Sequence, residues 1–227
     1  MSISSFQNDF ERVSKALLRK LPRRVDGKDA ILQMRDEGSS NWRQMEWIGF
    51  WFEHFVDEVF LTDSTGLTGP QFGNTQFDMM LGEPWDLKAH PDGIRQVILN
   101  EKTAVDSCID QFGAVNYLLI AGETSYDDEN RSFKRWHDGL KGGVSQYEQN
   151  RVKEGRPSRR RKISFSPKHL FAIRLNRSSL DSSIQSGSIG FFQAGMRNSN
   201  GKPRNAKYLL KLPAVQPTFE SFRVEID

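Results

Sequence analysis

Asp78 and the triplet Asp86-Leu87-Lys88 are the residues of this chain best suited to chemistry. Each group sits inside a short apolar run, Phe77-Asp78-Met79-Met80-Leu81 and Trp85-Asp86-Leu87-Lys88-Ala89, with Gly82-Glu83-Pro84 between them. Aspartate is a poor strand former, so two of them inside strand-like runs call for a reason. If the runs pair as a hairpin, Asp78, Asp86 and Lys88 converge at one end of it. Asp86 and Lys88 share a face, because strand side chains alternate with period two. Two carboxylates beside an ammonium suit phosphodiester hydrolysis assisted by a divalent ion. Mg2+ takes oxygen ligands and keeps several waters, so Asp78 and Asp86, with the Leu87 carbonyl as a further ligand, suffice to hold it. Lys88 would then hold or activate the attacking water and stabilise charge on phosphorus. The plainer reading is that Asp78 and Asp86 solvate an edge hairpin and Lys88 makes a surface pair. Against it, Phe77, Met79, Leu81, Trp85 and Leu87 are all bulky, which leaves Asp78, Met80, Asp86 and Lys88 concentrated on the alternate positions.

The elements that must position these residues can be read from periodicity. Phe6, Phe10, Val13, Ala16, Leu17 and Leu21 predict an amphipathic helix over 5–20. Residues 25–40 read as a connector, with Ala30-Ile31-Leu32 a short strand or turn. A second helix is predicted over 41–60, with Asn41 as its N-cap. On it Met45, Ile48, Trp51, Phe52, Phe55, Val56 and Val59 form one broad apolar face. Trp47 and Phe50 lie outside that face, so the helix is expected to be covered on more than one side. Glu46 and Glu53 sit together at its border. Residues 61–75 read as a loop, 97–99 as a strand, 102–113 as a helix and 132–150 as partly helical, broken by Gly139, Gly142 and Gly143. The continuous apolar runs 117–121 and 170–175 predict buried strands. Shorter strands are expected at 189–193, 207–212 and 219–226. The alternation of helices and strands describes an α/β domain with a mixed central sheet flanked by helices. The 227 residues are read as one domain, or one core with appended segments.

Asp78 followed by Asp86-Leu87-Lys88 on a second strand resembles the PD-(D/E)xK nuclease signature, with Phe77 where many members carry proline. Gly49-Phe50-Trp51-Phe52-Glu53 is similar to the GxxxE first helix of that superfamily, whose Glu often joins the metal site. The resemblance implies that role for Glu53, with Glu46 a second candidate from the same helix; the plain reading of both is an ordinary helix flank. It also implies a single nuclease domain with a restriction-endonuclease-like core over about 41–175 and a DNA-recognition segment over about 176–227, a Mg2+ cofactor and double-stranded DNA as substrate. Type II restriction endonucleases are the nearest kind, which implies a cognate DNA methyltransferase acting on the same site. A palindromic target would favour a homodimer.

Two basic segments are candidates to grip DNA. In 151–162, Arg151, Lys153, Arg156, Arg159, Arg160, Arg161 and Lys162 stand against the single acid Glu154. Such a cluster suits phosphate contacts, or is a solvated loop, as Gly155, Pro157 and Ser158 suggest. In 193–211, Gln193, Arg197, Asn198, Asn200, Lys202, Arg204, Asn205, Lys207 and Lys211 occur without an Asp or Glu. These are the side-chain types that read guanine and adenine edges, and Asn200-Gly201 predicts a hairpin turn. The plainer version is a basic hairpin touching only backbone phosphate.

Net charge is +3, and Cys108 is the only cysteine, which excludes an internal disulfide and a cysteine-based zinc site. The four histidines, His54, His90, His137 and His169, show no metal-ligand spacing, and no phosphate-binding glycine loop occurs. No apolar stretch approaches the roughly 20 residues that span a bilayer, and Asp9, Glu11 and Arg12 interrupt any signal-peptide core. The expected location is cytoplasmic. Two other functions fit these residues: a structure-specific or repair nuclease of the same superfamily, and a non-catalytic DNA-binding module.

Overall fold

A computed structural model describes residues 4–62, 76–197, 201–214 and 219–226. The elements run in chain order α1 (Ser5–Leu18), β1 (Val25–Asp26), α2 (Gly27–Asp36), α3 (Trp47–Thr62), β2 (Met79–Leu81), β3 (Glu83–Pro91), β4 (Gln96–Glu101), α4 (Lys102–Phe112), β5 (Ala114–Tyr126), α5 (Ser132–Leu140), α6 (Gln146–Lys153), β6 (Lys162–Asn176), α7 (Arg177–Ser186), β7 (Ile189–Phe192), β8 (Lys207–Lys211) and β9 (Glu220–Glu225), with short 3-10 turns at Ser40–Arg43 and Leu212–Ala214. The main sheet has the order β1-β6-β5-β3-β2, and β9 also pairs with β6. It is mixed: β3 and β5 are parallel, and the other pairs are antiparallel. A smaller antiparallel sheet has the order β4-β8-β7. The expected α/β architecture with a mixed central sheet and flanking helices is what forms.

Strand β5 is apolar without alternation because both faces of the sheet are covered. Leu118 and Ile120 point into one core with Phe6, Phe10, Ile31, Trp51, Phe52 and Val56 from α1, α2 and α3. Tyr117 and Leu119 point into a second with Val105, Cys108 and Ile109 of α4, Leu180 of α7 and strands of the small sheet. Helix α3 is buried on more than one side, as expected. Trp47, outside its main apolar face, is fully buried and its Nε1–H donates to the Lys162 carbonyl at 2.8 Å.

Two expectations are overturned locally, and a third, the partly helical stretch 132–150, holds except that Gly139 lies inside a helix rather than breaking one. Residues 25–40 are not a connector: they hold α2, whose N-terminus is capped by Asp26 accepting from the Lys28 and Asp29 N–H groups. Its buried Ala30, Ile31 and Met34 are one helical face, not a strand. Asn41 does not cap the long helix. Ser39 caps a 3-10 turn instead, Gln44 is extended, and α3 starts only at Trp47. Glu46 therefore lies outside the helix that carries Glu53. The broken stretch 132–150 resolves into α5 and α6, separated at Gly142 and Gly143, which take positive φ of 86° and 136°.

At Gly122 the register of β5 against β6 shifts, and a Cβ there would stand 2.1 Å from the Ser166 carbonyl oxygen. Gly122→Ala is expected to cost at least about 2 kcal/mol, because backbone must move. Gly139→Ala, in a helix with open space around it, should instead stabilise by about 0.5–1 kcal/mol. Urea unfolding of both variants checks this; equal effects would contradict the β5–β6 contact.

Candidate active site

The hairpin of β2 and β3 turns at Gly82 (φ 86°) and pairs Met79 with Trp85 and Leu81 with Glu83. Continuing that register by one step sets Asp78 opposite Asp86, and the Asp78 N–H donates to the Trp85 carbonyl at 2.9 Å. The side chain closes the same contact from the other direction: Asp78 Oδ2 accepts the Leu87 N–H at 2.7 Å. Two carboxylates are thus held across a short strand pair by backbone bonds. The alternation expected from the sequence holds for Met79, Leu81, Trp85 and Leu87, which enter the core against α1, α2 and α3, but not for Phe77, which packs in the second core. Asp86, only 2% exposed, stands on the other face.

Asp86 has both carboxylate oxygens engaged. Lys88 donates to Oδ1 as an ion pair, and Asn100 of β4 donates to Oδ2. Asn100 also reaches the Gln76 carbonyl at 3.3 Å, tying the segment before Asp78 to the same point. Asn100 is a site residue that sequence reasoning missed. It lies in an unremarkable strand 14 positions from Asp86, and only the small sheet brings it back.

The electrostatics show how crowded the charges are. Burial first, and then Asp78 and Asp86, push the Glu53 carboxyl up to about 8, against the pull of Lys88. Burial and then the Asp86 charge raise Asp78 as well, opposed by Lys88 and by the Leu87 N–H. For Lys88, burial works against the ammonium, but Asp86, Asp78 and Glu53 together outweigh it and hold it above its ordinary value. Lys88 is therefore a firm cation. Burial and Asp86 push the Cys108 thiol up to about 11, and burial, Asp86 and Asp78 raise the Tyr117 phenol as well, so both are held in their neutral forms. The Tyr117 hydroxyl is buried without a hydrogen-bond partner among the described residues.

The structure thus brings Asp78, Asp86, Lys88 and Glu53 into one electrostatic cluster. Leu87 contributes its N–H to Asp78, and its backbone carbonyl lies between Asp86 and Lys88. Glu46 is not part of it: its carboxylate, 60% exposed, pairs with Lys162. Among the described residues no group of three His, Cys, Asp or Glu side chains is arranged to hold a metal ion. The donor set is a pair of hard carboxylates whose mutual repulsion a divalent cation would relieve. That fits Mg2+, which needs only one or two carboxylates and keeps its remaining waters.

The two basic segments part company. The acid-free one lies against the site: β8 pairs with β4 so that Lys207 faces Glu101, and Asn205 Nδ2 donates to Glu101 Oε2 at 2.8 Å, next to Asn100. Arg197 bridges to Pro203 and donates to the Gly201 carbonyl at 2.8 Å, and Gln193 takes a left-handed φ of 65°. Lys202 and Arg204 flank this bridge, and Lys211 ends β8 opposite Gln96. Asn198 and Asn200 lie outside the described residues; of the turn expected at Asn200-Gly201 only Gly201 is described, with a positive φ of 79°.

Residues 151–162 are elsewhere. Asp86 is level with Tyr117 on β5, whereas Lys162 is level with Tyr126. Those nine residues of β5 amount to roughly 30 Å of extended chain. Nor is the segment simply a solvated loop. Arg151 and Lys153 belong to α6, Arg151 donates to the Pro157 carbonyl at 2.9 Å, and Arg156 pairs with Glu154. Arg160 donates to the Asp127 carbonyl at 3.1 Å and stacks over Tyr126, while Arg159 and Arg161 line a pocket.

Glu53 titrates near 4.5 when unfolded and near 8 when folded. Between those values the folded chain holds one more proton at this site, so stability falls as pH rises through that window. Glu53→Gln should flatten this slope, to which the raised Asp78 also contributes, leaving stability unchanged at pH 4 and raising it by on the order of 2 kcal/mol at pH 8 once solvent screening is allowed for. Urea unfolding at the two pH values measures it; an equal effect at both would mean the carboxyl is not confined by Asp78 and Asp86. Comparison with protein-family models, with curated proteins and with solved structures finds no match to this chain.

Proposed function

We propose that the chain is a magnesium-dependent nuclease of the PD-(D/E)xK superfamily, hydrolysing double-stranded DNA as a type II restriction endonuclease. The observation that carries this reading is the face-to-face pair Asp78 and Asp86, with Lys88 bound to one and Glu53 confined beside both. The order helix, strand, strand, helix, strand around a mixed sheet is compatible with a restriction-endonuclease-like core. Among the described residues no helix is long and apolar enough to cross a membrane.

In this reading Asp78 and Asp86 hold the magnesium ion, which would neutralise phosphate charge and make a water acidic. The rest falls to the protein. Asn100 orients Asp86 by donating from its amide to Oδ2. Lys88, held firmly as a cation, stabilises the charge that develops on the phosphoryl oxygens rather than serving as a base. Glu53, confined beside both aspartates, would take a proton from the attacking water. The acid-free segment that carries Asn205 and Lys207 beside Asn100 supplies contacts to the duplex, both to phosphates and to base edges. A homodimer would match two such sites to the two strands of a palindrome, and a DNA methyltransferase of the same specificity would be the partner enzyme.

Incubation with plasmid and magnesium should yield discrete fragments, abolished by a chelator and reduced at least about 100-fold by Asp86→Ala or Lys88→Ala. Wild-type rates in both variants would dismiss this site. Nicking confined to branched DNA would move the activity to a structure-specific repair nuclease. Metal-independent, salt-sensitive binding without cleavage would leave a DNA-binding module. A separate readout needs no turnover: magnesium should raise the melting temperature at pH 8, and Asp78→Asn should cancel that rise.

A further inference from the structure

The far end of β5 and β6 carries a pocket of about 520 Å3 whose lining includes Arg43, Lys141, Arg159 and Arg161. That volume suits a small ligand or a single nucleotide. Arg161 is its most telling member. The residue is only 6% exposed, yet its guanidinium Nε and Nη1 have no hydrogen-bond partner among the described residues. Buried guanidinium N–H groups without a partner are costly, and the ordinary remedy is an anion.

The acids nearby do not supply one. Glu148 lines the same pocket but accepts the Ser158 hydroxyl and stands 3.9 Å from Lys134. Lys141 pairs with Asp138 at 3.0 Å. Arg43 lies over the Trp42 ring, 4.8 Å from its centroid, and Arg159 is exposed at the rim. The excess positive charge is felt at His137, which is held below its ordinary value by burial first and then by Lys141 and Arg161. Planar guanidinium forks match phosphate oxygens in geometry as well as charge. Tyr147, also in the lining and 58% exposed, offers an aromatic face at the mouth, the kind of platform on which a base stacks.

We infer that this pocket is a phosphate-binding site separate from the acidic cluster, taking a nucleotide 5′-phosphate on Arg161 with its base against Tyr147. The nucleotide is either free or the phosphorylated end of a strand; the chemistry recognised is the same. The site stands whether or not the acids cleave DNA, since nothing in it depends on Asp78, Asp86 or a metal.

The test is calorimetric titration of the full chain in the presence of a chelator, so that no cleavage intervenes. The probes are deoxyadenosine 5′-monophosphate against deoxyadenosine, and a deoxyadenosine octamer with a 5′-phosphate against the same octamer with a 5′-hydroxyl. At least one phosphorylated probe should bind ten-fold or more tighter than its unphosphorylated counterpart. Preference for the mononucleotide identifies a free nucleotide, and preference confined to the octamer identifies a strand end. Arg161→Gln should erase the discrimination, Tyr147→Ala should weaken both members of the preferred pair, and Asp86→Ala should leave the discrimination intact. If Arg161→Gln does not fold, Arg43→Gln and Arg159→Gln carry the same comparison. No discrimination by the wild-type chain, or discrimination that survives all the arginine changes, overturns the inference. Failure of the nuclease reading would leave these titrations unaffected.

Discussion

The structure depends on satisfying both edges and both faces of β5. A strand this deeply buried has no water for its backbone, so every N–H and C=O must find a partner in the protein. β3 supplies one edge in parallel and β6 the other in antiparallel. A parallel neighbour cannot be reached by a tight turn. The chain between β3 and β5 therefore leaves the sheet, builds β4 and α4, and returns. That excursion covers one face of β5 and carries Asn100 back to Asp86. The requirement that buries β5 also assembles the acidic cluster beside it.

The cluster is then a problem of like charges. Asp78 and Asp86 face each other across β2 and β3 because backbone bonds leave them no alternative, and Glu53 is pressed toward them by the apolar face of α3. Lys88 and Asn100 offset Asp86, which leaves Asp78 and Glu53 with their ionisation displaced toward neutral pH. Such an arrangement stabilises nothing by itself: the carboxylates resist being charged together, and the fold tolerates them because the surrounding core holds the backbone. Groups of this kind cluster where chemistry is done. The opposite imbalance holds at the other end of β5, where Arg161 is buried among cations with too few acids.

Much of this was legible in the residues. Aspartates within apolar runs identified the hairpin, and period-two alternation correctly separated Asp86 from Trp85 and Leu87. The twin-faced burial of β5 was visible as an uninterrupted apolar run. What misled was local. A helical period over 41–60 ran on past a real break, because Met45 fits the apolar face of a helix whose backbone turns extended at Gln44. Glu46 was drawn into the site by that continuity. In the stretch 25–40 the consecutive run Ala30-Ile31-Leu32 reads as strand or turn, whereas Ala30, Ile31 and Met34 form the buried face of α2 behind its cap at Asp26.

Composition and spacing by themselves determined the α/β class, the acidic hairpin and the two stores of positive charge, since these follow from period, propensity and sign. Where those charges end up was decided only by tertiary structure. Both basic segments are far from Asp86 in sequence; β8 pairing with β4 brings one beside it, while the length of β5 and β6 keeps the other about nine residues of strand away. Asn100 and the unpaired Arg161 are likewise products of packing. No single-chain pattern distinguishes an asparagine that reaches a carboxylate from one that faces water, or a buried arginine from a solvated one, because that difference lies in neighbours distant along the chain.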